Sequence, residues 1–256
     1  MSDLILKIKN LKKTFAENVV FAGLSLDVHK GEFVSVLGPS GCGKTVLLRM
    51  LAGLLQKTSG EIHYHFTDPG NINIGMAFQR SPLFPWLDVL ENITICMNNR
   101  PLSAQAKKST ALEYLQKANL GKFTNHYPAE ISGGMAQRVN VLRSFCSGSE
   151  LILMDEPFVS LDFIQRTQLQ QFTLDIWNKE RKTILFVTHN VHEAIILSDR
   201  ILVMAAEGGR IVGDFRVGIG RPRNVDEVRE KPEYLRAFKE INKLLTEEVG
   251  KLSLAP

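Results

Sequence analysis

The spacing of hydrophobic positions changes several times along the chain, and each change marks an element. LILKIKN alternates apolar and polar residues with period two, which predicts a strand with one face covered. VVFAGLSLDVHKGEFVSVLG predicts two more β runs around a Lys30–Gly31 turn. A helix is predicted from Lys44 to about Leu54, then strands over GEIHYHF and NIGMAF. A loop punctuated by prolines and aromatics, QRSPLFPWLDVLENI, opens a different region, helical from about residue 86 to 147. Its clearest helix, SAQAKKSTALEYLQKANLG, is expected to stop at Gly121. LILMDEP and KTILFVTH are continuous apolar runs, the pattern of parallel strands covered on both faces. Residues 199–216 predict a terminal β pair. A helical tail follows from about Val225 to Val249, in which Leu235, Phe238, Ile241 and Leu245 fall near helix spacing. That stripe either packs on the domain or meets a partner.

Length and composition narrow the class without naming it. At 256 residues the chain accommodates one large α/β domain, or one domain with an inserted subdomain. A net charge of +4 is too mild to argue for nucleic acid, and it suits an anionic membrane surface no better than neutral surroundings. Cys42, Cys96 and Cys146 are an odd set without framework spacing, so reduced thiols in a cytosolic protein are expected. Lysines interrupt the apolar residues of MSDLILKIKNLKK, unlike a signal peptide. TVLLRMLAGLL is broken by Arg49 and too short to span a bilayer, so a membrane role is expected to come through a partner chain.

The chemistry concentrates at strand ends. LGPSGCGKT, residues 37–45, fits the pattern of a phosphate-binding loop. In the run Gly38-Pro39-Ser40-Gly41-Cys42-Gly43, the glycines permit a path on which successive backbone N–H groups converge on a phosphate chain. Lys44 then reaches the terminal phosphates, Thr45 offers a hydroxyl to Mg²⁺, and the helix that follows adds its N-terminal partial charge. LILMDEP delivers Asp155 to the carboxyl end of a strand, where it can hold Mg²⁺ through water, and Glu156 is placed to polarise an attacking water. Alone, Asp-Glu after a strand reads as a solvated turn; beside a phosphate loop it reads as a catalytic magnesium site. His189 ends TILFVTH and Gln79 ends GMAFQ, which suggests that further strands deliver polar groups to the same crevice. ISGGMAQR, residues 131–138, sets two glycines at a helix start, each costing about 1 kcal/mol relative to alanine inside a helix. Its serine, read locally, is a helix cap.

Taken together and in order, these motifs resemble the ATP-binding subunit of an ABC transporter over nearly the whole length. GPSGCGKT resembles Walker A, AFQ the Q-loop, ISGG the signature, LILMDEP Walker B, SLD at 160–162 the D-loop and VTH the switch histidine. The resemblance implies an α/β P-loop NTPase fold of the ABC type, with a mixed sheet core, an antiparallel β subdomain and an inserted helical subdomain. Within one domain, 1–256, it implies an ATP-binding core with β subdomain at 1–85 and 148–216. The helical signature subdomain would occupy 86–147, and a helical C-terminal extension 217–256. Phe15 in KKTF matches the aromatic that stacks on adenine, although locally it could be a core residue of a β turn.

Two copies are then expected to pair head to tail around two ATP molecules with Mg²⁺. Each ATP would lie on residues 38–46 of one copy, including Val46, and beneath Ser132, Gly133, Gly134 and Met135 of the other. Glu156 would drive hydrolysis, His189 and Gln79 would sense the γ-phosphate and magnesium, and Asp162 would communicate across the interface. Thr45, Gln79 and Asp155 would surround the metal. The loop RSPLFPW would receive a cytoplasmic helix of integral permease subunits, or else form subdomain core. The implied location is peripheral, on the cytoplasmic face of the plasma (inner) membrane. A solute-binding protein is implied as an indirect partner, and nucleic acid is not.

SPLFPWLDVLENI, Met135 and the tail GRPRNV…PEYLRAFKEINKLL resemble importer subunits for nitrate, sulfonate, taurine or bicarbonate. Importers for vitamin precursors share these features. A soluble non-transport ABC ATPase usually carries coiled-coil insertions or tandem cassettes, and this chain has neither. Val46 departs from the family pattern, which has a second hydroxyl there, and Ile131 replaces the commoner leucine.

Overall fold

A computed structural model describes residues 3–68, 73–98 and 100–252. In chain order its strands are β1 (Leu4–Phe15), β2 (Asn18–His29), β3 (Phe33–Leu37), β4 (Ser59–Tyr64), β5 (Ile74–Ala77), β6 (Leu151–Asp155), β7 (Thr183–Thr188), β8 (Arg200–Met204) and β9 (Ile211–Arg216). The helices are α1 (Lys44–Leu51), α2 (Val89–Thr94), α3 (Ala104–Lys117), α4 (Gly133–Cys146), α5 (Phe163–Glu180), α6 (Val191–Leu197), α7 (Val225–Val228) and α8 (Pro232–Leu252). The chain divides into two compact units, one of residues 1–72 with 180–256 and one of residues 73–179. The helical stretch expected over 86–147 falls inside the second unit. The expected C-terminal extension runs past the described residues at 253–256.

The first unit holds two sheets. One is antiparallel, in the order β2-β1-β4, and buries the alternating face of Leu6, Ile8 and Leu11. Its register slips near Asn10, which takes φ 47°, and Gly60 lies against that bulge at φ 93°. A Cβ on Gly60 would sit 2.4 Å from the Asn10 carbonyl oxygen, so only glycine lets the strands meet there. In the other sheet β3 pairs in parallel with β7 and β8, and β9 closes the edge antiparallel to β8. Every residue of β3 and β7 is buried, as the apolar run ILFV of β7 requires, and the one polar residue of β3, Ser35, is hydrogen-bonded to the Ser198 hydroxyl.

Helix α1 ends three residues before the Leu54 expected from the sequence. Gly53 takes φ 73°, its N–H bonds to Met50 O, and the N–H of Leu54 bonds to Arg49 O. This glycine-terminated closure satisfies the last carbonyls of the helix. The tail is two helices, α7 and α8, with Pro232 opening the second. The expected stripe holds on α8 at Ile241, which is buried, with Phe238 and Leu245 half-buried, but at its start Tyr234 is buried and Leu235 is 51% exposed.

The second unit contains the parallel pair β5–β6 and the helices α2 to α5. Asp88 and Glu91 form a reciprocal capping box on α2, and Ser103 caps α3. Gly121 does not end α3. Asn119 does, at φ 58°, with Leu120 N bonded to Leu115 O, because asparagine tolerates the left-handed conformation that closes a helix. Among the described residues no helix is long and apolar enough to cross a membrane.

Candidate functional site

In the first unit the parallel register pairs Leu37 with Thr188, so Gly38 and His189 each follow directly from level strand ends. Two sequence-predicted groups thus share one sheet edge, where α/β sheets bind ligands. Gly41 and Gly43 adopt φ 84° and 104°, and the path turns from β3 into α1 through them. A Cβ on Gly43 would approach Val20 Cγ1 to 2.7 Å, and one on Gly38 would reach Cys42 Sγ at 2.9 Å. The loop is therefore closely packed from behind, while Gly41 and Ser40 are exposed. Gly43 caps α1 without a side-chain acceptor, which leaves the helix start to an anionic ligand.

Lys44 is 5% exposed and folds over its own loop, donating from Nζ to the carbonyls of Gly38 and Pro39 at 2.9 Å each. Cys42 is buried with its sulfur 3.9 Å from that ammonium, so its side chain belongs to the loop's packing. Thr45 and Val46 are half-buried in the first turn of α1. Phe15 ends β1 with 44% of its surface exposed, and the Lys13 ammonium lies 4.4 Å from its ring centroid. His189 is exposed just beyond β7.

In the second unit Ala77 pairs with Met154, so Gln79 and Glu156 leave β5 and β6 at a common edge. Asp155 closes β6 and is 5% exposed. Glu156 has φ 44°, a conformation that costs a non-glycine residue about 1–3 kcal/mol and concentrates at functional sites. Nothing in the order Asp-Glu-Pro announced that strain.

Residues 78–92 are held by amides that the sequence reading did not single out. Asn140 Nδ2 and Gln137 Nε2 donate to Phe78 O at 2.7 and 3.1 Å, one residue before Gln79. Ser81 also donates to Gln137 Oε1. Asn92, fully buried, accepts from Phe84 N at 2.8 Å and donates to the carbonyls of Phe84, Leu87 and Asp88. The available signal was an amide side chain interrupting an apolar helix face. Arg143 donates to Pro82 O at 2.6 Å and lies 5.0 Å above the Phe84 ring, whereas Trp86 is 70% exposed. The RSPLFPW loop is thus fastened at one aromatic and open at the other.

Ser132 caps α4: its Oγ accepts from Met135 N at 3.3 Å, which leaves the hydroxyl proton available to a further acceptor. The two glycines beside it differ. A Cβ on Gly134 would come within 2.4 Å of Gln165 Oε1, but one on Gly133 would meet nothing within 4 Å. The first neighbour is the end of a flexible glutamine side chain that can swing aside and the second position faces open space, so packing within the chain demands glycine at neither. Asp162 caps α5 by accepting from Gln165 N at 2.8 Å. Among the described residues no three His, Cys, Asp or Glu side chains cluster to hold a metal ion.

The family model described as ABC transporter matches residues 21–159. An uncharacterised ABC transporter ATP-binding protein of Methanocaldococcus jannaschii is 40% identical, over 96% of this chain and 93% of that protein. An aliphatic sulfonates import ATP-binding protein of Bacillus thuringiensis is 39% identical over 85% of this chain and 88% of its own length. Among solved structures, a dimeric ATP-binding cassette in a post-hydrolysis state with ADP and phosphate superposes with a TM-score of 0.71. It is 29% identical and covers 83% of this chain and 98% of its own. With the ordered motifs at the carboxyl ends of parallel strands, these likenesses establish that the chain belongs to the ABC transporter family, as an ATP-hydrolysing ATP-binding subunit.

Proposed function

We propose that the chain powers an importer for a small anion such as nitrate, sulfonate, taurine or bicarbonate, as a head-to-tail pair of copies closing on ATP. The observation that carries the paired reading is Gly133: an exposed, side-chain-free position beside a capping serine, with nothing of its own chain against it. Such a surface lets backbone N–H groups approach a phosphate closely, and here that phosphate is carried by the other copy. The relative named for aliphatic sulfonates supports the solute class.

In this reading the backbone of Gly38, Pro39, Ser40, Gly41, Cys42, Gly43, Thr45 and Val46 cradles the phosphates. Lys44 exchanges its two loop carbonyls for phosphate oxygens, and Phe15 stacks on adenine. Thr45, Gln79 and Asp155 are hydroxyl, amide and carboxylate oxygens, the hard donors that suit Mg²⁺, which takes few protein ligands beside phosphate. When bound, that ion neutralises charge on the phosphates. Glu156 accepts the proton of the attacking water, and His189 and Gln79 hold the γ-phosphate end. From the other copy Ser132, Gly133, Gly134 and Met135 cover the same phosphate, and Asp162 links the two copies. The division of labour follows the expected core at 1–85 with 148–216, the signature subdomain at 86–147 and the extension at 217–256. The exposed Trp86 marks the face offered to integral permease subunits, with a solute-binding protein beyond them. The chain then sits peripherally on the cytoplasmic side of the plasma (inner) membrane.

Sedimentation of the purified chain tests the pairing. With Mg²⁺ and slowly hydrolysed ATP the wild type is expected to dimerise. Ser132→Arg is expected to stay monomeric while binding ATP with unchanged affinity, because its own phosphate loop is intact. Undiminished dimerisation of Ser132→Arg would sink the reading. Transport is tested by extracting membranes and identifying integral proteins that travel with the chain; recovery of the chain only in soluble fractions would return it to the non-transport ATPases.

A further inference from the structure

The turn carrying His189 is locked internally and fastened at its far end by the C-terminal helix. Thr188 Oγ1 accepts from Asn190 N at 3.0 Å and donates to Glu193 Oε2 at 2.7 Å. Asn190 Oδ1 in turn accepts from the N–H groups of His192 and Glu193, capping α6. These bonds make residues 188–193 one stiff piece, with β7 as its first anchor. The second anchor is the ring of His192. It stacks on Phe238 at 4.7 Å and 18° and on Tyr234 at 6.1 Å and 14°, and its Nδ1 is hydrogen-bonded to the Tyr234 hydroxyl. Tyr234 itself is 4% exposed, so it presents a fixed surface to the more exposed imidazole. Burial, reinforced by Arg229, lowers the pKa of His192 and keeps the ring neutral, the form in which Nδ1 can accept from a hydroxyl. The other end of α6 is gripped as well, because Arg223 bonds the carbonyls of Ile195, Ile196 and Ser198.

We propose that His192, Tyr234 and Phe238 are positioning residues for ATP hydrolysis, the C-terminal helix holding the His189 turn in register through the stacked imidazole. The proposal rests on the reading of His189 as a γ-phosphate contact and assigns a task to the tail. Only two residues separate His189 from His192, so a shift of α8 against α6 carries the His189 turn with it.

Steady-state hydrolysis by the full chain decides the matter. His192→Ala, which removes the ring contacts with α8 but leaves β7 and the phosphate loop unaltered, is expected to lower kcat about 10-fold, since small misplacements of reacting groups are costly. The KM for ATP should stay within about twofold, because the phosphate loop is untouched. His192→Phe, which restores a flat ring for stacking, should recover most of the turnover, and Tyr234→Leu should resemble His192→Ala. In a His189→Ala background, His192→Ala should cause no further loss, because the two act through one group. Wild-type kcat in His192→Ala, or an equal loss in both backgrounds, would overturn the positioning role alone. Wild-type turnover in His189→Ala by itself would overturn the reading beneath it as well.

Discussion

Glu156→Gln is expected to slow ATP hydrolysis about 10²–10⁴-fold, the contribution of a positioned general base, while ATP binding changes little. Glutamine keeps the size and reach of the side chain but cannot take a proton from water. The backbone at this position is held independently of that chemistry. Glu156 sits at φ 44°, and the strain is contained by the turn that follows, where Val159 N bonds to Glu156 O and Leu161 N to Phe158 O, both at 3.3 Å. Phe158 and Leu161 are buried, so the turn cannot relax without uncovering them. The substitution therefore separates catalysis from folding. Single-turnover hydrolysis and nucleotide titration on the same sample measure the two effects. A variant that binds ATP and still hydrolyses it at the wild-type rate would remove Glu156 from the mechanism.

Arg223→Met should cost about 3–5 kcal/mol of stability, because several buried carbonyls lose their partner at once, each worth roughly 1–3 kcal/mol and not strictly additive. Arg223 is 3% exposed and spends its guanidinium on the backbone. Nη1 reaches Ile195 O at 3.1 Å, Ile196 O at 3.0 Å and Ser198 O at 2.8 Å, the carbonyls that close α6. Nε and Nη2 bond Ile219 O at 3.3 and 2.8 Å. Burial and the neighbouring Arg221 pull its pKa down to about 9, against the opposing pull of Asp199, and the group remains charged at neutral pH. Methionine matches the stem and packs, but offers no donor. Urea unfolding monitored by circular dichroism should show the midpoint falling; a loss below ~1 kcal/mol would mean that these carbonyls find other partners. Since α6 begins at the His189 turn, ATP turnover should fall at denaturant concentrations that leave the wild type intact.

The motif residues were legible because their chemistry is local. Glycine spacing before Lys44, and carboxylates after an apolar run, declare themselves within a few residues, and the structure sets Gly38, His189, Gln79 and Glu156 just past paired strand ends. The rest was harder for physical reasons. Asn119 and Gly121 both favour a left-handed φ, and only the helix's last hydrogen bonds reveal which one closes it. On α8 the expected stripe holds at Ile241 and fails only at its first member, where Tyr234, with its polar tip, is buried and Leu235 is exposed. Gln137, Asn140 and Asn92 look in sequence like ordinary polar residues of a helix, and Arg223, in the polar run GRPRNVDE, looks like a solvated surface charge.

By itself the sequence determined most of the strand and helix order, though not α6 or the division of the tail into α7 and α8, together with the phosphate loop and the family. The elements follow from periodicity and the loop from backbone freedom at particular glycines, which neighbouring residues fix, while the family follows from the resemblance of the ordered motifs to ABC ATP-binding subunits. Tertiary structure alone decided the strained backbone of Glu156, the amide clamps on residues 78–92 and the grip of the tail on α6. Those features are hydrogen bonds and ring contacts between segments far apart in sequence. Partners of that kind are chosen by packing, which no local pattern encodes.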